Sequence, residues 1–326
     1  MQGTIVVPLL SECHRFKRWD QCLKPQFLVQ ERPLITLARD SFSPLSYQWI
    51  FITRSREFEQ LNHFLTAEFP GCEIIVEDNM TLSQMLIPVI QNIEGEIIIT
   101  DADSIFELKS LPEMPSDEFD AQVFCHAHKF KSRLGLKVKD HRIVQLTAYP
   151  DVSDHSSCGT FRVLNKERFI HFLETARDED NASELLKSWY HCKAKLAPLQ
   201  LPYIYNFISH AHVLQYVGRY GRGFHSLKEF YPYYLSEHRE TGTKLIHFIG
   251  TSIGLFCFSY AALCFKPIFI LFGLIAGHAF AWIGHLLLEK NLPVTFQYPL
   301  YSFVSDFIMF FELLTGKRSF SDGGFD

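Results

Sequence analysis

Two apolar runs lie almost back to back late in the chain: IHFIGTSIGLFCFSYAALCF, residues 246–265, and PIFILFGLIAGHAFAWIGHLLL, residues 267–288, parted by Lys266. Neither contains Asp, Glu, Lys or Arg. At about 1.5 Å of rise per residue, each is long enough to cross a bilayer as a helix. A hydrocarbon-facing segment has no use for imidazole. Yet His247, His278 and His285 sit inside these runs, and His238 lies just ahead of the first. Ionisable groups at membrane depth are costly and mark sites by default.

Outward from this hairpin the chain divides by composition. Its 326 residues leave room for about two domains, and 47% hydrophobic with 21% charged is ordinary for a folded protein. Most of the charge precedes Lys244, however, and the remainder is crowded with Phe, Leu, Ile and Tyr. A soluble domain followed by a membrane module fits that split. The formal net charge of -5, without a basic stripe, gives no reason to expect nucleic acid as a partner. Eight cysteines are scattered without a Cys-x-x-Cys pair, which argues against a zinc site or a disulfide framework and for a reducing compartment. The N-terminal MQGTIVVP has no basic n-region and reads as the start of a strand. The N-terminal domain is therefore expected in the cytoplasm, with the C-terminal segments directing insertion.

From Thr4 short apolar runs alternate with amphipathic stretches: strands at residues 4–10, 48–53, 73–77 and 96–100, and helices at 33–41, 56–68 and 82–93. That alternation predicts βαβ units around a mainly parallel sheet. Past Asp103 the pattern changes to strands at 121–127, 134–138, 143–147 and 160–164, then helices at 166–177 and 182–191, so the second half is expected to be more antiparallel. The glycines of Gly218-Arg-Tyr-Gly-Arg-Gly223 read as a flexible connection. The expected division is 1–215 for the α/β domain, 216–223 for a linker, 224–316 for the membrane module and 317–326 for a polar tail.

Ligands of open α/β sheets bind beyond the carboxyl ends of the strands. There the chain has LLSECHR, residues 9–15, then Lys24-Pro25, and later IIITDAD, residues 97–103. These segments resemble the sugar-phosphate nucleotidyltransferase family of the glycosyltransferase-A-like superfamily, over roughly Thr4 to His191. The resemblance implies a Rossmann-like fold in which Arg15 and Lys24 are phosphate cations and Asp103, with Asp101 nearby, holds magnesium beside a nucleotide. A hard cation suits carboxylate oxygens, and phosphoryl transfer is largely positioning and charge neutralisation. Where that family has several glycines, this chain has Leu9 to His14, whose side chains block close backbone approach to phosphate, and Glu12 adds negative charge. A degenerate domain is the expectation. Asx capping of a strand-end turn is the competing reading of Asp101 and Asp103. His126 and His128 share a strand face but lack a third partner, so no metal is assigned to them.

In the C-terminal part, FHSLKEFYPYYLSEH, residues 224–238, is aromatic and amphipathic, as at a membrane interface. His238 and His247 are nine residues apart, on opposite faces of one straight helix, but a break at Thr241-Gly242-Thr243 would let the imidazoles meet. His278, Trp282, His285 and Glu289 form one stripe that should face protein. His278 and His285 are about 10 Å apart along a helix, awkward for one metal, so His285 is grouped with His238 and His247, and His278 is read as structural. Several neutral imidazoles with open coordination positions suit a non-haem iron. Glu289 would be a further ligand or an orienting group. Interhelical hydrogen bonding is the competing reading of the same histidines.

With AWIGH at 281–285, EKNLP at 289–293, YPLYS at 298–302 and Asp306, this stretch resembles the small membrane family that includes the iron-dependent 2-hydroxy fatty acid dioxygenase of sphingoid-base breakdown, over residues 224–316. The resemblance implies Fe(II) held by His238, His247 and His285, with Glu289 supporting catalysis, oxygen as co-substrate and a lipid as substrate. The fold class expected for the whole is thus an α/β Rossmann-like nucleotidyltransferase domain followed by an all-α transmembrane helical hairpin. A membrane-bound oxygenase is the preferred function. A membrane-tethered nucleotidyltransferase or sugar-nucleotide-dependent transferase is the alternative, and a non-catalytic membrane adaptor the third.

Overall fold

The computed structural model describes residues 3–10, 23–115, 117–127, 134–148, 154–176, 179–207, 210–220, 223–238, 240–289 and 296–321. Arg15, with the rest of the loop expected to face phosphate from Ser11 on, and His128 lie outside these residues. The chain forms two compact units, Met1–Ile208 and Ser209–Asp326.

The first unit holds strands β1 (Gly3–Leu9), β2 (Leu28–Val29), β3 (Arg32–Pro33), β4 (Gln48–Thr53), β5 (Glu73–Val76), β6 (Glu96–Ile99), β7 (Ser104–Phe106), β8 (Ala121–His126), β9 (Leu134–Lys139), β10 (Arg142–Ala148), β11 (His155–Val163), β12 (Leu196–Gln200) and β13 (Ile204–Asn206). Its helices are α1 (Leu34–Ser41), α2 (Ser55–Glu68), α3 (Leu82–Asn92), α4 (Lys166–Thr175) and α5 (Ala182–His191). β1 is buried along its whole length, as a central parallel strand with both faces covered must be. It pairs in parallel with β4 and β6, and β4 with β5. Beyond β6 the sheet turns antiparallel through β11, which also pairs with β8 and β9. The change of strand sense after Asp103 is as the sequence pattern predicts. The path β10-β9-β11-β6-β1-β4-β5 puts Asp101 and Asp103 just past the carboxyl end of β6.

The second unit begins with α6 (His210–Tyr220) and continues through α7 (Leu227–Ser236), α8 (Thr241–Cys264), α9 (Ile268–Gly284), the π-turn His285–Glu289 and α10 (Pro299–Leu314). Two sequence expectations shift here. Tyr216 to Tyr220, read as linker, are helical, and the division between units falls at Ile208 and Ser209. Gly218 serves close packing rather than flexibility, because a Cβ there would stand 2.5 Å from the Tyr233 ring. Thr241-Gly242-Thr243, read as the helix break, is the first turn of α8; the break lies earlier, after Ser236.

α8 and α9 reverse at Phe265, whose φ of 51° is left-handed, followed by Lys266 and Pro267. The two helices meet at Gly250 and Gly254 on one and Gly273 on the other, small residues that bring the backbones together. A Cβ at Gly250 would lie 2.7 Å from Phe280 Cβ, and one at Gly273 3.1 Å from the carbonyl oxygen of Gly254. Both helices are long and apolar enough to cross a membrane, and only 22% of either span is buried. The core helix of a water-soluble bundle covers its apolar stripe; here Phe256 and Phe265 are 71% and 90% exposed.

The hairpin contact separates two glycines that look alike in sequence. Gly273→Ala should lower the thermal midpoint of the detergent-solubilised chain by several degrees, since backbone and Cys257 block the added methyl. Gly277→Ala, whose methyl meets nothing within 4 Å, should leave the midpoint unchanged or slightly raised.

Candidate metal centre

The acidic residues expected to hold magnesium are already engaged. Asp101 accepts from the backbone N–H of Ala182 at 2.9 Å and from Ser183 Oγ at 2.7 Å, so it anchors the N-terminus of α5, where a carboxylate complements the helix dipole. This is the cap of a distant helix, neither the expected magnesium ligand nor a local Asx turn at the strand end. Asp103 Oδ2 lies 2.7 Å from Lys24 Nζ, and both side chains are buried. Lys24 and Asp103 are thus brought together as the sequence resemblance implies, but as an ion pair. Among the described residues the site offers magnesium one carboxylate that a lysine already neutralises, a poor fit for a hard divalent cation.

The histidines behave differently. His238, His247 and His285 come from three separate elements, and their candidate ligand atoms all lie within 4.8 Å of one another, with all three side chains buried. His238 follows α7 directly: its backbone N–H donates to Leu235 O, which curls the chain back before α8 begins. His247 lies two turns into α8. His285 opens the π-turn that ends α9, a form found disproportionately at functional sites. Gly284 permits its approach, since a Cβ there would sit 3.3 Å from Thr243 Cγ2 and 3.7 Å from His247 Cδ2.

Hydrogen bonds orient two of the rings. His238 Nδ1 lies 2.6 Å from Tyr234 O, and the ring stacks on the Tyr234 phenol with centroids 4.0 Å apart. A carbonyl can only accept, so Nδ1 carries the proton and Nε2 presents a lone pair. His247 Nδ1 lies 2.8 Å from Asp306 Oδ1, which places its proton on the same nitrogen. The buried Nε2 atoms of both rings have no hydrogen-bond partner. Two such orphans cost about 1–3 kcal/mol each, a cost that metal coordination removes. Burial, with the neighbouring His247 and His285, holds His238 well below the usual imidazole range, so it is neutral and able to ligate near neutral pH. This donor set fits a borderline transition metal, and the carbonyl and carboxylate behind the rings are the usual orienting partners of metal-bound histidine.

Asp306, on α10, also accepts from the hydroxyl of Tyr234. Burial and the Asp306 charge push the phenol well above its ordinary range, so it remains a donor. The sequence analysis named Asp306 only among the residues of the resemblance, without a role, and it gave none to Tyr234. The available signal was Asp306 itself, a carboxylate in an apolar helix. Glu289, expected to act with the metal, closes the π-turn; its side chain lies outside the described residues. The stripe of His278, Trp282 and His285 does not face protein uniformly: Trp282 is exposed and stacks on Phe296. His278 is half-buried and stays out of the cluster, its Nδ1 donating to Leu274 O at 2.8 Å.

Residues 224–318 match the model of a family described as 2-hydroxy-palmitic acid dioxygenase Mpo1-like. No curated protein matches the chain. Among solved structures, the inositol-1-phosphate CTP transferase from T. maritima is similar with a TM-score of 0.51 at 13% identity, over 68% of this chain and 97% of its own. A putative glucose-1-phosphate thymidylyltransferase from Bacillus anthracis has a TM-score of 0.51 at 14% identity, over 71% of this chain and 99% of its own. The N-terminal unit therefore has the nucleotidyltransferase fold, and the C-terminal unit contains the region that matches the dioxygenase-family model.

Replacing the carboxylate behind His247 probes the centre without touching a ligand. Asp306→Ala should weaken cobalt(II) or zinc(II) binding by about 10- to 100-fold, with unchanged helical circular dichroism, and Asp306→Asn should lie between it and wild type. Equal affinity in all three would show that the carboxylate does not support a metal ligand.

Proposed function

We propose that the C-terminal unit is a membrane-embedded non-haem iron oxygenase that shortens 2-hydroxy fatty acids, or a related lipid, by one carbon. The observation that carries this reading is the buried triad of His238, His247 and His285, with two outward-tied Nδ1 atoms and two unpartnered Nε2 atoms, inside a region that matches the dioxygenase-family model. Thr241–Cys264 and Ile268–Leu288 would cross the bilayer. The N-terminal unit would remain in the cytoplasm, and the lipid would reach the site from the membrane.

Fe(II) bound to the triad would supply oxygen binding and one-electron chemistry at coordination positions left open by three protein ligands. The chain's own contribution is to hold the three imidazoles neutral and oriented. Tyr234 O and Asp306 fix the tautomers of His238 and His247, and the Tyr234 hydroxyl holds Asp306. Glu289, within the same π-turn as His285, is the candidate for handling a proton. The N-terminal unit supports a transferase reading less well, because Asp101 and Asp103 are committed within the fold. We assign it a fold without nucleotide chemistry.

The assay is oxygen uptake by the anaerobically iron-loaded, detergent-solubilised chain on addition of a long-chain 2-hydroxy acid. Consumption coupled to an acid one carbon shorter is expected, with loss of about 100-fold or more in His285→Ala. Uptake that His285→Ala leaves intact, or no shortened product, would overturn the reading.

A further inference from the structure

The helical unit contains a groove between α8, α9 and α10 that starts at one edge of the triad. Its narrow part, about 40 Å³, is walled by His247, His278, Asp306 and Thr251 at one end and runs on past Gly254 and Gly273. By the volume one water centre needs, that space takes about three or four waters, the size of a small polar head. Phe258, Leu274 and Phe303 belong both to this part and to a wider trough of about 620 Å³ that reaches Phe265 and Pro267 at the hairpin turn. The two form one path along α8.

Polarity changes once along that path. Every polar side chain of its lining, Thr251, His278, His247 and Asp306, lies at the end nearest the triad, and the rest is Gly, Ala, Pro, Leu, Ile and Phe. His247 is 4% exposed and is paired through Nδ1 with Asp306, which also lines this end. His278 spends Nδ1 on Leu274 O, which leaves Nε2 to a ligand. From His247 to Phe265 the helix rises about 27 Å, a length that suits a long chain rather than a short one. A single polar end followed by an extended apolar course is the shape of a single-chain amphiphile.

We propose that this groove holds the acyl chain of the lipid substrate, with the polar head among Thr251, His278 and the His247–Asp306 pair and the chain directed towards the hairpin turn. The proposal rests on the oxygenase reading for the chemistry of the head, but not for the seat of the chain. Gly277 sets the width: it lines the groove, and a Cβ there meets nothing within 4 Å. A larger side chain at this position enters the groove without disturbing the contact between α8 and α9.

The test is displacement of a fluorescent fatty acid from the detergent-purified full chain by 2-hydroxy acids and by unsubstituted acids, medium-chain to long-chain, in wild type and Gly277→Leu. Wild-type affinity should rise roughly fourfold per added methylene until the groove is filled. Gly277→Leu should weaken long-chain binding by about tenfold or more and shift the preference to shorter chains, with metal content unchanged. Identical chain-length profiles in the two proteins would overturn the groove even if iron is bound. Chain binding that Gly277→Leu alters in a protein that takes up no iron would uphold the groove and remove the oxygenase reading instead. Should Gly277→Leu fail to fold, a fatty acid with a terminal diazirine gives the same decision on wild type: crosslinks to Phe258, Ala262 or Phe303 support the assignment, and crosslinks confined to other positions refute it.

Discussion

The carboxylate of Asp306 is the constraint on which the helical unit depends. It accepts from His247 on α8 and from the Tyr234 hydroxyl on α7, so one partly buried anionic acceptor joins three helices and fixes one imidazole. Tyr234 in turn lends its carbonyl and its ring face to His238. Remove the carboxylate, and His247 loses its tautomer, Tyr234 its acceptor, and α10 its polar tie to both neighbours. Charge-assisted hydrogen bonds of this kind are roughly twice as strong as neutral ones, and in a dry setting they also set geometry.

Glycine completes what the hydrogen bonds begin. Gly250, Gly254 and Gly273 let α8 and α9 approach through their backbones, and Gly284 lets the π-turn bring His285 against His247. Lipid offers apolar helices little reason to associate beyond close packing and interhelical polar contacts. An exposed apolar exterior, a glycine seam and a polar triad at one end are what the proposed membrane hairpin requires.

Much of this was legible in the sequence, for identifiable reasons. Strand and helix positions in the first unit followed from their periods, and the change of sheet sense after Asp103 from strands that follow one another without helices between them. Grouping His238 with His247 and His285 followed from the helical rise that set His278 aside. The short strands β7, β12 and β13 escaped notice because three to five residues carry too little period to register. The helix break was misplaced because Gly242 reads as a breaker locally, whereas in space it packs against Leu288. The role of Asp101 depended on α5, some eighty residues away in sequence, which no local pattern can supply.

The central claim is that three imidazoles from three elements hold one metal ion. It is tested most directly by elemental analysis of the anaerobically purified, detergent-solubilised chain beside a variant with His238, His247 and His285 all replaced by alanine, both checked for intact helical content. The account predicts close to one iron per wild-type chain and none in the variant. Equal metal in both, or no metal in a folded wild-type protein supplied with iron, would contradict it and make the three histidines an interhelical hydrogen-bonding cluster.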